Sequence, residues 1–201
     1  MRYVLSFPES IQGVIYENPC FDIEHSLCAI IKEYFSEKKG FDSSKITTVA
    51  ITPCTSKKLE AKEYTLNIDH VLTASEVAIL LKEEDIKLNE LADAEFDNIM
   101  GESSGAGVIF GNSGGVCESA IRTLNRIMTK KNLNKDELEF KDLRGFEGIK
   151  EATIQIDKYK LRVAVVQQME NLEKLLENDK YKKYHFIEVM NCKGGCVGGG
   201  G

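Results

Sequence analysis

The 201-residue chain has no long hydrophobic run and no excess of basic residues, and its first ten residues show no signal-peptide pattern. No stretch approaches the roughly 18 apolar residues of a membrane-spanning helix, so no membrane span is predicted. Lys and Arg number 26 against 32 Asp and Glu, a net charge of -6, which excludes a nucleic-acid partner because phosphate binding needs clustered cations. The N-terminal residues lack the apolar core of a signal peptide, which indicates a cytoplasmic protein with reduced thiols.

Two common ligand motifs are also missing. The glycine-rich stretch 111–115 fits neither the dinucleotide fingerprint nor a P-loop, because Gly105 and Gly107 precede the apolar run and no Gly-Lys-Ser/Thr triplet is present. The three histidines show no paired spacing for zinc. The hydrophobic fraction of 42% is nevertheless ordinary for a folded protein with a core.

The apolar pattern alternates between helical and strand periods. Helices are predicted at 23–38, 77–82, 116–128 and 169–176, and strands at 46–52, 70–72, 108–110, 151–156, 161–166 and 185–190. The strand at 46–52 is predicted to be buried, and Thr73 and Glu76 form a capping-box pattern ahead of the helix at 77–82. This alternation predicts an α/β fold with mostly parallel sheets flanked by helices. We treat 1–201 as one domain with a lobe boundary near 89–98.

Three segments end an apolar strand in a loop rich in Cys, Gly or Pro, where ligands of α/β proteins bind. In the first, Pro53 presents Cys54 at the strand end, and Lys57 is close enough in sequence to lower the thiol pKa or to bind an anion. The alternative is a core cysteine followed by solvated lysines.

The second segment joins the predicted strand 108–110 to the helix 116–128 through Gly111, Gly114 and Gly115. Bare amides at a helix N-terminus form an anion cradle. The alternative is that the glycines only allow close packing of helix and sheet.

The third segment carries Cys192 and Cys196, separated by a lysine and two glycines. The glycines permit positive φ and close backbone approach, so both thiolates can face one metal centre. Cys54 is the natural third thiolate, since it too ends a strand. The alternative is a disulfide between Cys192 and Cys196, which a cytoplasmic location disfavours.

Taken together, these segments resemble the catalytic domain of the iron-only, or [FeFe], hydrogenases. TPCTSKKLE at 52–60 resembles the family motif MPCxxKxxE, EVMNCKGGCVGGG at 188–200 resembles EVMxCxxGCxxGGGQ, and FGNSGGVCE at 110–118 resembles FGxTGGVMEAA. Shorter stretches at 69–76, 101–105 and 144–150 fit the family in the same order. The resemblance covers essentially the whole chain.

The resemblance implies two lobes with an H-cluster between them, a [4Fe-4S] cubane joined to a di-iron unit with carbon monoxide, cyanide and dithiolate ligands. Cys54, Cys192 and Cys196 would be cluster ligands, and Cys196 would bridge to the di-iron unit. Lys57 would donate a hydrogen bond to a cyanide, and Met190 would pack its thioether against the di-iron unit. Glu60 is either a proton-transfer group or a solvated helix carboxylate.

The reaction implied is the reversible reduction of protons to dihydrogen. Electrons would come from ferredoxin or a nicotinamide-linked subunit, and maturation proteins would build the cluster.

The chain also departs from the family pattern. In the family, the remaining cubane ligand comes from an upstream TSCCPxW motif. That motif does not occur in this sequence, and Cys20 does not match it. FPES at 7–10 resembles a stretch just downstream of that motif, and the sequence stops before the glutamine of GGGQ, so we expect truncation at both ends. With one cubane ligand unmatched, this polypeptide alone is expected to be inactive.

Three functions remain open from the sequence. The first is part of an active ferredoxin-type hydrogenase. The second is a hydrogen sensor or iron-sulfur assembly factor with a weakly catalytic cluster, suggested by Thr52 and Asn191, which replace a methionine and a small residue of the family. The third is a structural protein without a cluster.

Overall fold

The computed structural model describes residues 23–63, 68–97, 100–101, 104–143, 147–177 and 180–201. The stretch 7–10, Cys20 and parts of the motifs at 101–105 and 144–150 lie outside these ranges. The described residues form two compact units. The first unit contains 23–101 with 199–201, and the second contains 104–198.

The first unit begins with the predicted helix, which is confirmed. Helix α1 spans Ile23–Ile30, a π-helical turn follows at Ile31–Phe35, and α2 spans Ser36–Lys39. Gly40 ends α2 at φ 72°, a left-handed conformation that favours glycine.

Two β-α elements follow in this unit, namely β1 at Val49–Thr52, α3 at Ser56–Glu63, β2 at His70–Thr73 and α4 at Ala74–Glu83. Strands β1 and β2 pair in parallel. The capping box predicted at the start of α4 is confirmed, since Thr73 accepts from the Glu76 amide and Glu76 accepts from the Thr73 amide. The predicted burial of strand 46–52 is wrong, because β1 is shorter and Ile51 is 64% exposed.

The second unit is built on one four-stranded sheet. Its elements are α5 at Gly105–Ile109, α6 at Gly115–Thr129, β3 at Lys141–Asp142, β4 at Ile149–Ile156, β5 at Tyr159–Gln167, α7 at Met169–Glu177 and β6 at Phe186–Met190. The strand order is β3-β4-β5-β6, with β5 and β6 parallel and the other pairs antiparallel. The α/β class is confirmed, with one parallel and one mixed sheet.

Strand β5 is buried on both faces of this sheet because its side chains alternate. Val163 and Val165 pack with Cys117 and Ile121 of α6, whereas Val166 on the opposite face packs in a cluster with Leu175 of α7 and Tyr184. Each fully buried aliphatic side chain contributes about 1.5–3 kcal/mol. Helices on both faces thus fix the sheet and the loops at its ends.

The strand predicted at 108–110 is wrong. Gly105–Ile109 is helical, and the Ser104 side chain accepts a hydrogen bond from the Gly107 amide at its start. A three-residue apolar run is too short to separate strand from helix by periodicity.

Among the described residues, no helix combines the length and apolarity that crossing a bilayer would require.

Candidate functional site

The site predicted around the last strand begins where β6 ends. Met190 closes β6, is 6% exposed and accepts a hydrogen bond from the Gln168 amide at 2.8 Å. The next residues, 191–198, form what we term the cysteine loop. Because β5 and β6 run in parallel, the end of β5 lies at the same edge of the sheet as this loop.

The cysteine loop is held against residues 111–114, which we term the glycine turn. The Ser113 amide donates to the Gly194 carbonyl at 2.9 Å, and the Val197 amide donates to the Gly111 carbonyl at 3.1 Å. An antiparallel bridge joins Asn112 to Gly195 between these bonds. The structure therefore brings together two of the three segments singled out in the sequence.

Gly195 is the residue that permits this contact. Its φ is +107°, and a Cβ placed on it would lie 2.5 Å from both the Gly111 oxygen and the Ser113 nitrogen. The positive φ and the short distances each disfavour any residue with a Cβ at this position. The predicted need for positive φ and close approach in the cysteine loop is confirmed.

A further support of the loop gave no signal in the sequence. The side-chain oxygen of Gln167, the last residue of β5, accepts a hydrogen bond from the Gly194 amide at 3.1 Å. A glutamine at a strand end is ordinary, so only the structure shows this role.

The anion cradle predicted at the start of α6 is filled by the protein itself. The Glu188 carboxylate accepts from the Gly114 amide at 2.5 Å and from the Cys117 amide at 2.7 Å. The interpretation as a cradle for an external ligand is therefore wrong. Burial raises the pKa of the Glu188 carboxyl, although the bonds from the backbone amides oppose that rise. A glutamate within an apolar strand was the sequence signal for such a partner.

Cys117 lies in the same region and is fully buried. Burial, together with the negative charges of Glu188 and Glu118, raises the pKa of its thiol. The thiolate is the form that binds metal, so Cys117 belongs to the core.

The three cysteines predicted as ligands are differently placed. Cys192 is half-buried and its carbonyl accepts from the Gly195 amide, while Cys196 is exposed and begins a 3₁₀ turn. Both belong to the second unit. Cys54 belongs to the first unit, where it is half-buried between β1 and α3. None of the three is in a disulfide, so the predicted alternative of a Cys192–Cys196 bridge is wrong.

Lys57 and Glu60 come together on α3. The Lys57 ammonium lies 2.9 Å from a Glu60 oxygen, and the two side chains are 17% and 22% exposed. Glu60 is therefore an ion-pair partner of Lys57 rather than a fully solvated carboxylate.

The glycine tail ends beside Cys54 within the first unit. The Gly201 amide donates to the Pro53 carbonyl at 3.0 Å, and a Cβ on Gly201 would lie 2.9 Å from a Thr73 methyl. Gly201 thus packs against the ends of both β1 and β2.

The donor chemistry fits an iron-sulfur group but is incomplete. Within the described residues, no group of three or more Cys, His, Asp or Glu side chains is gathered to hold one ion. Thiols are the ligands of iron-sulfur clusters, and Cys54, Cys192 and Cys196 are the three thiols that the sequence predicts as ligands. The Ser113 hydroxyl is buried and has no partner among the described residues, so an acceptor bound beside the cysteine loop would satisfy it.

Known proteins are similar in sequence to most of this chain. Residues 23–200 match the family "Iron only hydrogenase large subunit, C-terminal domain". The chain is 43% identical over 178 residues to iron hydrogenase 1 of Clostridium pasteurianum, covering 85% of this chain and 31% of the relative. It is also 33% identical over 190 residues to mouse cytosolic iron-sulfur assembly component 3, covering 86% and 39%.

A solved structure shows the same fold. An apo variant of [FeFe]-hydrogenase HydA1 from Chlamydomonas reinhardtii superposes with a TM-score of 0.74 at 35% identity, covering 89% of this chain and 53% of that one. The chain thus spans about half the length of that structure and less than half of the curated relatives above. [FeFe]-hydrogenases carry an H-cluster. The chain belongs to the C-terminal domain family of the iron-only hydrogenase large subunit.

Proposed function

We propose that this chain is the cluster-binding part of a hydrogenase that reduces protons reversibly to dihydrogen. The observation that carries the proposal is the cysteine loop, in which Gly195 allows the backbone carrying Cys192 and Cys196 to lie against the glycine turn. When bound, the H-cluster supplies the metal site for hydrogen chemistry and takes up the electrons that a partner delivers.

The chain's own residues bind and surround that group. Cys54, Cys192 and Cys196 would hold it as thiolate ligands, with Cys196 as the thiolate shared with the di-iron unit. Met190, nearly buried at the end of β6, supplies a polarizable apolar wall that excludes water.

Lys57 would donate a hydrogen bond from its ammonium to a cyanide ligand of the cluster. Its ion pair with Glu60 holds that ammonium in place and gives it a carboxylate to which a proton can pass.

This polypeptide alone holds the cluster loosely and does not turn over, because it offers three thiolates of the four that a cubane takes. In the working protein, electrons come from ferredoxin or a nicotinamide-linked subunit, and maturation proteins insert the di-iron unit. One relative is an NADP-reducing hydrogenase subunit, which supports the second electron source. The proposed location is the cytoplasm.

Anaerobic reconstitution with iron and sulfide tests the proposal. We expect a cubane that an iron chelator removes within minutes, and that an added small thiol protects by supplying the missing ligand. Chelator-resistant binding of a full cubane without added thiol would show that the site is complete. Failure to bind iron above the level of an unrelated cysteine-containing protein would contradict cluster binding altogether.

The second candidate is an iron-sulfur assembly factor or hydrogen sensor. It is favoured by the similarity to the assembly component and by Thr52, which is buried where the hydrogenases have a methionine. Hydrogen evolution separates the two functions. A longer protein that contains this chain, supplies the remaining ligand and is loaded with its cluster should evolve hydrogen if it is a hydrogenase and lose that activity in Cys196→Ser, whereas an assembly factor should keep the cluster without evolution.

A further inference from the structure

Glu188 is a buried acid within an otherwise apolar strand. It is 3% exposed and lies on the same face of β6 as Met190, two residues further along the strand. Its carboxylate binds the amides at the start of α6, with bonds of 2.5 Å from Gly114 and 2.7 Å from Cys117. A buried charge is retained only where such bonds compensate for its lost hydration.

These bonds connect the cysteine loop to the glycine turn by a second route. Along the chain, Glu188 is followed by Met190 and then by the cysteine loop. Through its carboxylate, Glu188 fixes Gly114, the last residue of the glycine turn, which has a φ of +93°. The turn in turn binds the loop through Ser113 and Gly111.

The result is a closed ring of contacts. It runs from β6 through Glu188 to the glycine turn, across the backbone bonds to the cysteine loop, and back along the chain to β6. Every member belongs to the second unit. A ring of this kind restricts the loop more than its own few hydrogen bonds do, because opening the loop also requires movement of the turn.

We propose that Glu188 is a positioning residue that orders the cysteine loop by holding the glycine turn against the start of α6. Its carboxylate does not touch the cluster ligands and acts on them only through the turn. The consequence for cluster binding rests on the proposed function, whereas the order of the loop does not.

The effect of removing Glu188 is distinct from a general loss of stability. The apolar clusters on both faces of the sheet do not involve the Glu188 carboxylate and remain in place. The amides of Gly114 and Cys117 lose their acceptor, and the turn is no longer fixed at the α6 side. We therefore expect local opening of the loop while the β4–β5 hairpin stays closed.

Hydrogen exchange on the chain without metal tests this directly. The amides of Ser113 and Val197 report the two bonds between turn and loop. In Glu188→Ala they should exchange about tenfold faster or more, relative to hairpin amides of the same protein. Alkylation of Cys192 should accelerate by a similar factor relative to Cys54.

Glu151→Gln is the matched control. Glu151 is a partly buried acid of the same unit that accepts from Lys183 and Tyr184, both at 2.7 Å and away from the loop. Its loss should lower global stability without changing the ratio of loop to hairpin exchange. If Glu188→Ala shifts both sets of amides equally, as the control does, the positioning role is refuted.

Glu188→Gln keeps the test decisive if the alanine variant does not fold. Glutamine retains one acceptor oxygen and the side-chain volume, so it should restore part of the loop protection and give an intermediate exchange ratio. A ratio equal to that of the wild type would refute the need for the carboxylate. Because no metal is present, failure of cluster binding and failure of this proposal give separate results.

Discussion

The Lys57 ammonium lies 2.9 Å from the Glu60 carboxylate, one turn along α3. The sequence suggests separate roles for Lys57 and Glu60, whereas in the structure they form an ion pair. A Lys57 that binds an anionic ligand does so while its orientation is set by Glu60. Substitution of either residue therefore affects the other.

Replacing Glu60 by Gln should change stability little. Ion pairs of this spacing that remain partly exposed contribute less than about 1 kcal/mol, so urea unfolding should show a loss within that range. A loss above about 2 kcal/mol would mean that the pair supports the packing of α3 rather than orienting Lys57.

Gly195→Ala should disrupt the cysteine loop. The new Cβ would lie 2.5 Å from the Gly111 oxygen, and a φ of +107° is strained for alanine. Loop and turn must separate, at a cost of roughly 1–3 kcal/mol. The signature is faster hydrogen exchange at the Val197 amide.

Gly194→Ala provides the control for that substitution. Gly194 has a φ of +83°, but nothing lies within 4 Å of its added Cβ. It should cost about 1 kcal/mol from backbone strain and leave the turn contacts intact. Equal effects of the two variants on the exchange of Val197 would contradict the close-approach role of Gly195.

Periodic segments of the fold are predictable from the sequence. The α6 helix follows from apolar residues at helical spacing, with Cys117 and Ile121 reaching the core. The hairpin follows from two alternating runs around Asp157, which takes a positive φ of 52° at the turn. In both cases the local pattern and the tertiary burial agree.

The parts that escaped prediction depend on contacts distant in sequence. Gln167 acts through one bond to Gly194, 27 residues away. The Glu188 carboxylate accepts a hydrogen bond from the Gly114 amide, 74 residues away, and so occupies the expected anion cradle. No local sequence pattern indicates such pairs. The one partial signal is the charged Glu188 within an apolar strand, which marks one member of the Glu188–Gly114 pair.

Acid should weaken the first unit through Asp69. This carboxylate accepts from the Thr48 amide at 2.7 Å and pairs with Lys32 at 2.7 Å. The Lys32 ammonium and the Thr48 amide lower the pKa of Asp69 from 3.8 to about 2. Because the folded-state pKa is depressed, the carboxylate stabilises the fold above pH 3.8, and this contribution is lost as the pH falls toward about 2.

Asp69→Asn isolates this contribution from that of other acids. The wild type should be more stable than the variant above about pH 4, and the two free energies of unfolding should converge as the pH approaches 2. Urea unfolding at a series of pH values measures the difference. A difference that does not change with pH would show that the Asp69 charge is not involved.

We propose that Cys192 and Cys196 hold an iron-sulfur cluster in the cysteine loop. The direct test counts iron and sulfide per chain after anaerobic reconstitution with a small thiol present. We compare the wild type with Cys192→Ser, Cys196→Ser and Cys117→Ser, the last being a buried core thiol that is not a proposed ligand. We expect wild-type iron in Cys117→Ser and loss of most iron in the two loop variants. Undiminished iron in both loop variants would contradict it.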